Sequence, residues 1–412
     1  MIVTLLIMAA ILSYVDRGNL SVAEGVIAKD FKLDPLQMGW LMSAFFWSYS
    51  TIQIASGWLT DRYEVKWVFA WGYLVWTIAT LATGFVGGFV SLFIMRLLLG
   101  AGESVVYPAI SRILLEHFPE DRRGLPNALI AAGTKIGPAI SMFLGGLILV
   151  HYGWRQLFIF TGLVSLAWLV PWAIFVPKSN TVPVSQTVKK KSVSFGELLS
   201  RPEFWGTTIG FFSLGYAIYL LINWLPSYLE KGRGFSTEQM ATAGSIPFWI
   251  MGGATVLGGI AGDWWIRRGA SPTLSRLGIL IGGFALCAVF ILIAPYVSND
   301  NICLLCLAVA CAGLGLFSSN AWAVTQTLSG EYAAAKWSGT QNALGNFGGV
   351  ASSVFTGWLL KRTGSFDLAF VSASVMVVIG ILAYVFLVGR VVPVDWDSET
   401  IGIELQSEPV VS

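Results

Sequence analysis

Stretches of about 18 or more predominantly apolar residues recur along the whole of this chain, each long enough to cross a hydrocarbon layer of roughly 30 Å as a helix. Within a bilayer the backbone has no water to bond, so a spanning segment must satisfy its own amides and carbonyls, as a helix does. A transmembrane β-barrel would instead show alternating segments of about ten residues, and this sequence has none. Of the 412 residues, 55% are hydrophobic and only 12% charged, with a mean hydropathy of +0.71. Soluble domains carry roughly 25% charged residues. That balance excludes a soluble enzyme and a disordered or fibrous chain.

Twelve spans are expected, six in each half: 1–26, 36–60, 66–86, 88–117, 124–150 and 154–176, then 204–229, 239–265, 273–297, 301–328, 334–360 and 366–390. The opening run Ile2–Leu12 resembles a signal peptide, but it lacks a basic leader and is followed by Asp16-Arg17, so it reads as the first span. The fold class is all-α membrane protein, twelve transmembrane helices in two pseudo-symmetric six-helix halves. The expected divisions are an N-terminal half at 1–176, a polar cytoplasmic linker at 177–203, a C-terminal half at 204–390 and an acidic tail at 391–412.

Lysine and arginine counts set the expected orientation. The connections after spans 2, 4, 6, 8 and 10 and the C-terminal tail hold 15 of them, and the opposite side holds 7. This places both termini on the cytoplasmic side of the membrane. Net charge is +2 and no basic run exceeds Lys189–Lys191, which excludes a nucleic-acid partner. Cys287, Cys303, Cys306 and Cys311 all lie in apolar runs and read as small buried hydrophobes. His117 and His151 fall at opposite span ends, and no phosphate-binding loop occurs, so no metal, cofactor or ATP-driven engine is expected.

The halves carry related segments. Span 2 ends Gly57-Trp58-Leu59-Thr60-Asp61 and span 8 ends Gly259-Ile260-Ala261-Gly262-Asp263. Span 5 opens Gly124-Leu125-Pro126-Asn127-Ala128 and span 11 Gly339-Thr340-Gln341-Asn342-Ala343. Two matches in the same order point to an internal duplication, an architecture of transporters that hold substrate between their halves near mid-membrane.

Five ionisable residues fall inside spans: Asp16, Arg17, Arg96, Glu103 and Lys135, all in the first half. Each costs roughly 2.5–3.5 kcal/mol to insert, so such groups face cavities and mark pathways. Arg96 and Glu103 are seven residues apart on one helix face, with Gly100 and Gly102 between them leaving room for a neighbouring helix or a ligand. Two readings stay open: a pair that only locks helices, or a proton site in which protonated Glu103 releases Arg96 to an anion. Asp16 and Arg17 diverge by about 100° around their helix. They either sit at the membrane interface or supply a second protonatable carboxylate and a fork-shaped carboxylate ligand. Lys135 is a second anion ligand, a counter-ion for Glu103 or Asp16, or a side chain reaching a polar crevice. The second half offers only uncharged candidates, among them Tyr216, Tyr219, Asn223, Ser319, Asn320, Trp322, Gln341, Asn342 and Asn346. Hydroxyls and amides of this kind suit a polyhydroxylated ligand.

Together these residues resemble a known family. Gly57-Trp58-Leu59-Thr60-Asp61-Arg62, followed by Lys66, resembles the cytoplasmic signature of the major facilitator superfamily, departing from it at Glu64. Arg96-x-x-x-Gly100-x-Gly102-Glu103 resembles its helix-4 signature. Tyr14-x-Asp16-Arg17-x-Asn19-Leu20-Ser21, Gly153-Trp154-Arg155 and Asn223-Trp224-Leu225-Pro226-x-Tyr228 are similar to the anion:cation symporter branch. The resemblance implies a proton-coupled importer of an organic anion, a sugar acid such as a hexonate, aldarate or hexuronate, acting as a monomer. It implies proton coupling by Asp16 and Glu103, and substrate contacts from Tyr14, Arg17, Tyr49, Arg96, Trp322 and Asn342. Thr134, Lys135, Tyr219 and Ser319 complete the expected binding set, and Gly57, Asp61, Arg62 and Asp263 the cytoplasmic gate. Lys135 departs from the small or amide residue the resemblance implies there. A monocarboxylate carried with two protons is the expected cycle, with Lys135 as the feature that would favour a dianion. A uniporter or exporter is the alternative within transport, and a non-transporting membrane receptor the alternative outside it.

Overall fold

The computed structural model describes residues 1–118, 124–177 and 193–396. The linker residues Lys178 and Lys189–Lys191, the bases Arg122 and Arg123, and the acidic tail from Asp397 lie outside the described residues, as does the side chain of Asp61. Among the described residues there is no strand.

Twelve long helical segments run through the described residues. The first six are α1 (Ile2–Val22), α2 (Pro35–Arg62), α3 (Val65–Thr83), α4 (Phe89–His117), α5 (Leu129–Tyr152) and α6 (Trp154–Phe175). The second six are α7 (Pro202–Gly232), α8 (Thr237–Arg267), α9 (Pro272–Tyr296), α10 (Asp300–Gly330), α11 (331–363) and α12 (Asp367–Val388). Gly330 separates α10 from α11 with φ of +57°, a left-handed conformation that glycine adopts without strain. A short helix, Glu24–Asp30, follows α1. Ten of the twelve segments are long and apolar enough to cross a membrane.

The other two, α2 and α11, are long enough but rich in small and polar residues, and their packing explains it. They lie against each other across the two halves, so those residues meet protein rather than lipid. A Cβ at Gly39 would come within 2.5 Å of the Ser353 carbonyl oxygen, and one at Gly357 would collide with the Pro35 carbonyl. Glycine therefore brings the two backbones into contact at this end of the pair. At the other end of α2, Gly57 has no atom within 4 Å of the Cβ position, and the same holds for Gly253 and Gly259 on α8.

The sealed end carries two ion pairs between halves. Lys231 Nζ lies 2.8 Å from Glu24 Oε2, and Lys361 Nζ 2.9 Å from Asp34 Oδ2. Asp34 also caps α2 by accepting from the Gln37 amide at 2.9 Å, while its own amide donates to Gln37 Oε1 at 2.9 Å. Large apolar side chains such as Phe85, Val90, Ile174, Leu257 and Phe386 are exposed around the outside, as lipid-facing residues are. The four cysteines are buried and free.

Candidate functional site

α1 divides its two adjacent charges between two environments. Asp16 turns into the first half, where Trp76 Nε1 of α3 donates to Oδ2 at 2.9 Å and Ser165 Oγ of α6 donates to the same oxygen at 3.4 Å. Asn19 Nδ2, one turn on, donates to Oδ1 at 3.4 Å. Among the described residues no cation pairs with Asp16. Arg17 turns the other way, towards α2, α4 and α7. Its Nε donates to Glu103 Oε2 at 2.7 Å, and its Nη1 donates to the Tyr219 hydroxyl at 3.2 Å. The guanidinium carbon also sits 4.4, 4.5 and 4.8 Å from the ring centres of Tyr14, Phe45 and Tyr49. Three aromatic faces plus one carboxylate hold the fork in place. Both residues are buried, Asp16 at 1% and Arg17 at 4% exposure, so neither sits at an interface.

The helix-4 pair differs from its sequence expectation. Glu103 takes Arg17 as its partner, while Arg96 Nε and Nη1 and Glu103 Oε1 are buried with no hydrogen-bond partner. The reason is geometric. Seven residues of helix rise about 10.5 Å, whereas α1 brings Arg17 alongside Glu103. Arg96 instead sits 5.5 Å from the Phe45 ring centre, on which Arg17 also rests. Gly100 and Gly102 make room for helices rather than for a ligand. A Cβ at Gly102 would meet the Trp76 amide nitrogen at 2.6 Å, and one at Gly100 the backbone of Phe45.

Between the halves lies a cavity of about 120 Å³. A water needs roughly 10–15 Å³ by this measure, so the space suits a small organic solute. The first half contributes Tyr14, Arg17, Tyr49, Thr134 and Lys135 to its wall, and the second Tyr219, Trp322, Asn342 and Asn346. Thr134 Oγ1 is turned to its own helix, donating to the Ala131 carbonyl at 2.7 Å. Asn342 Nδ2 donates across the halves to Gln53 Oε1 at 3.0 Å, and Trp322 packs edge-on to Phe211, another wall residue. Among the described residues, no acidic side chain lines the cavity.

Arg96, Asp16, Glu103 and Ser319 are not in that wall. Glu103 and Asp16 stand behind it, Glu103 reaching it through Arg17. Ser319 belongs to the packing of α10 on α8: its hydroxyl donates to the Leu316 carbonyl and accepts from Asn320 Nδ2 at 2.9 Å, and a Cβ at Gly258 would lie 2.6 Å from it. Of the expected gate residues, Gly57 faces open space, Arg62 lies 5.4 Å from the Trp58 ring, and Asp263 reaches Arg276 at 3.5 Å. Sequence reading missed Tyr107 and Gln53. Tyr107 lines the cavity four residues after Glu103, a spacing that puts it on the same helix face. Gln53 likewise lies four residues after Tyr49.

The sequence matches the family model described as the Major Facilitator Superfamily over residues 6–352. It is 30% identical to the "Probable galactarate/D-glucarate transporter GudP" of Escherichia coli (strain K12), covering 95% of this chain and 93% of that one. It is 29% identical to the "Probable sulfoacetate transporter SauU" of Cupriavidus necator, covering 94% and 93%, and 29% identical to the "Hexuronate transporter" of Bacillus subtilis (strain 168), covering 95% of each. Among solved structures, a bacterial homolog of the human lysosomal transporter Spinster, in an inward-facing and occupied conformation, superposes with a TM-score of 0.76. It shares 16% identity over 94% of this chain and 96% of that one, a likeness of fold.

Proposed function

The chain belongs to the Major Facilitator Superfamily, and from that premise we propose that this membrane transporter of organic anions imports a sugar acid together with protons, by alternating access of its two halves. The observation that carries this reading is the state of Glu103. It is fully buried, bound to the cavity arginine through one oxygen, and left with the other oxygen unpartnered on the same helix as an unpartnered Arg96. A carboxylate placed this way has two uses for its charge, and a proton decides between them. Protonated, Glu103 loosens its hold on Arg17, whose planar fork then binds a substrate carboxylate. Deprotonated, it reclaims Arg17 and expels the anion, with Arg96 available to hold the negative charge while the helices move. Asp16, buried among neutral donors alone, is the second proton site. Hydroxyls and amides from Tyr219, Asn342 and Asn346 suit the substrate's hydroxyl groups.

The lysine and arginine asymmetry supports an orientation with the end sealed by Glu24–Lys231 and Asp34–Lys361 on the periplasmic side and the open end near Gly57 on the cytoplasmic side. The molecule described above is then the inward-facing state of a bacterial inner-membrane protein, working as a monomer.

The test is uptake of labelled galactarate, galactonate and glucuronate into proteoliposomes, with and without an inward proton gradient. Accumulation above the external concentration only with the gradient is the expected result. Equilibration without accumulation points to a uniporter, outward-only movement to an exporter, and binding without movement to a receptor, and each overturns the proposal.

A further inference from the structure

The five ionisable residues deep inside the spans of the first half are three bases and two acids. Glu103 neutralises Arg17 at 2.7 Å, and Arg96, whose Nε and Nη1 have no partner, stands outside the cavity wall, so it leaves no charge in the cavity itself. Asp16 is turned away from the cavity, held by Trp76, Ser165 and Asn19. Lys135 is what remains. It lines the cavity, only half-buried, and among the described residues its ammonium group has no hydrogen bond or ion pair. Its backbone is fixed where α5 meets both α1 and α8: a Cβ at Gly137 would collide with Tyr14, and one at Gly252 would lie 3.7 Å from the Lys135 Cβ. Tyr14 lies within electrostatic range of both Arg17 and Lys135. Among the described residues the wall thus presents two cations, Arg17 and Lys135, with four phenols and no acid. A cation kept inside a membrane protein without a counter-charge costs several kcal/mol, and a bound anion removes that cost.

We infer that Lys135 is a specificity-determining residue that reads a second anionic group, so that the cargo is a dianion, a dicarboxylate or a sulfocarboxylate, with one acid group on Arg17 and the other on Lys135. This rests on the organic-anion transport proposed above and narrows it, replacing the monocarboxylate expected from the sequence. It follows from charge balance. With Glu103 protonated, the cavity holds two uncompensated cations, and a monoanion would leave one of them unpaired. Carried with two protons, a dianion moves no net charge across the membrane.

The test is equilibrium binding to the full chain in nanodiscs at pH 7, where both acid groups are ionised, read by calorimetry on matched pairs: galactarate against galactonate, and sulfoacetate against acetate. A dianion should bind at least about tenfold more tightly than its monoanionic counterpart, equivalent to about 1.4 kcal/mol. Preference in the first pair alone assigns a long dianion, and in the second alone a short one. Lys135→Gln should bring the ratio towards one, and Lys135→Arg should preserve it. A wild-type ratio near or below one in both pairs overturns the inference without any variant. So does a ratio that survives in Lys135→Gln or, should that variant fail to fold, in Lys135→Met. If monoanions bind and are carried with protons but no dianion is preferred, only this inference falls. If no organic anion binds at all, the proposed function falls with it.

Discussion

The two halves share one helical plan and differ in what they bring to the cavity. The first half holds every ionisable side chain found deep inside a span, Asp16, Arg17, Arg96, Glu103 and Lys135, whereas the second brings phenol, indole and amide groups. Their shared border shows why the division is useful. Separating a buried ion pair leaves an uncompensated charge and costs 3–5 kcal/mol. The buried links between halves are milder: Arg17 to the Tyr219 hydroxyl at 3.2 Å, Ser21 to Asn223 at 3.5 Å and Gln53 to Asn342 at 3.0 Å. Among the described residues, ion pairs cross the halves only at the sealed end, where the lysines are about half-exposed, 50% for Lys231 and 51% for Lys361. Water already reaches Lys231, Lys361 and Asp34 there, and it reaches the buried Glu24 as the rim opens. In the alternating access proposed above, the charged cluster therefore moves as one body, and the halves part without stranding a buried charge.

The sharpest way to break this comparison is to remove charge switching from the first half. Glu103→Gln should reduce proton-driven accumulation at least a hundredfold while leaving measurable substrate exchange, because the neutral side chain mimics the protonated state. Counterflow and gradient-driven uptake in the same vesicles check it. Accumulation at the wild-type level would mean that Glu103 does not couple.

Arg17→Lys should weaken substrate binding at least tenfold by calorimetry. A point charge cannot reproduce the fork that reaches Glu103 and Tyr219 at once, nor lie flat among three rings. Arg96→Lys should weaken binding less and uncouple proton flow more, since Arg96 stands outside the cavity wall. Equal binding losses in the two variants would show that Arg96 also touches substrate.

Changes in the second half should alter recognition without altering coupling. Asn342→Ala or Trp322→Ala should raise the KM about three- to tenfold, with the ratio of uptake with and without a proton gradient unchanged. Ser319→Ala should stay within about twofold on both measures, because its hydroxyl serves helix packing.

The smallest effect belongs to the sealed rim. The Lys361 ammonium beside Asp34 holds its carboxyl below the usual carboxylate range of about 4. A carboxyl lowered in this way supports the closed rim above its unpaired pKa and loses that support as pH falls through its paired value. Closure measured by spin labels across the rim should therefore be flat near neutrality and loosen only at strongly acidic external pH. At neutral pH Asp34→Asn should shift the closed population by a few fold at most, since the pair is solvent-screened. A large change between pH 6 and 8 would place the controlling group elsewhere.

Much of the molecule was legible in the sequence because two of its constraints are local. A bilayer requires long, mostly apolar helices, so ten of the twelve segments are plain from composition and length, while α2 and α11, richer in small and polar residues, are not. Buried charges are costly, so Asp16, Arg17, Arg96, Glu103 and Lys135 announced themselves by position alone. Helical periodicity also separated Asp16 from Arg17, which the structure places in different environments. What the sequence left open concerns neighbours rather than faces. Periodicity says that Arg96 and Glu103 share a side of one helix, but the height at which α1 passes decided that Arg17, not Arg96, reaches the carboxylate. It marked Ser319 as a polar residue inside a span, but the contact of α10 with α8 at Gly258 turned it away from the cavity. Lys135 carried three readings in the sequence, and only the assembled cavity shows that, among the described residues, no acid stands in the wall beside it. Rotation and height of one helix against another are set by side-chain packing between segments far apart in the chain, and no pattern within a single segment encodes them.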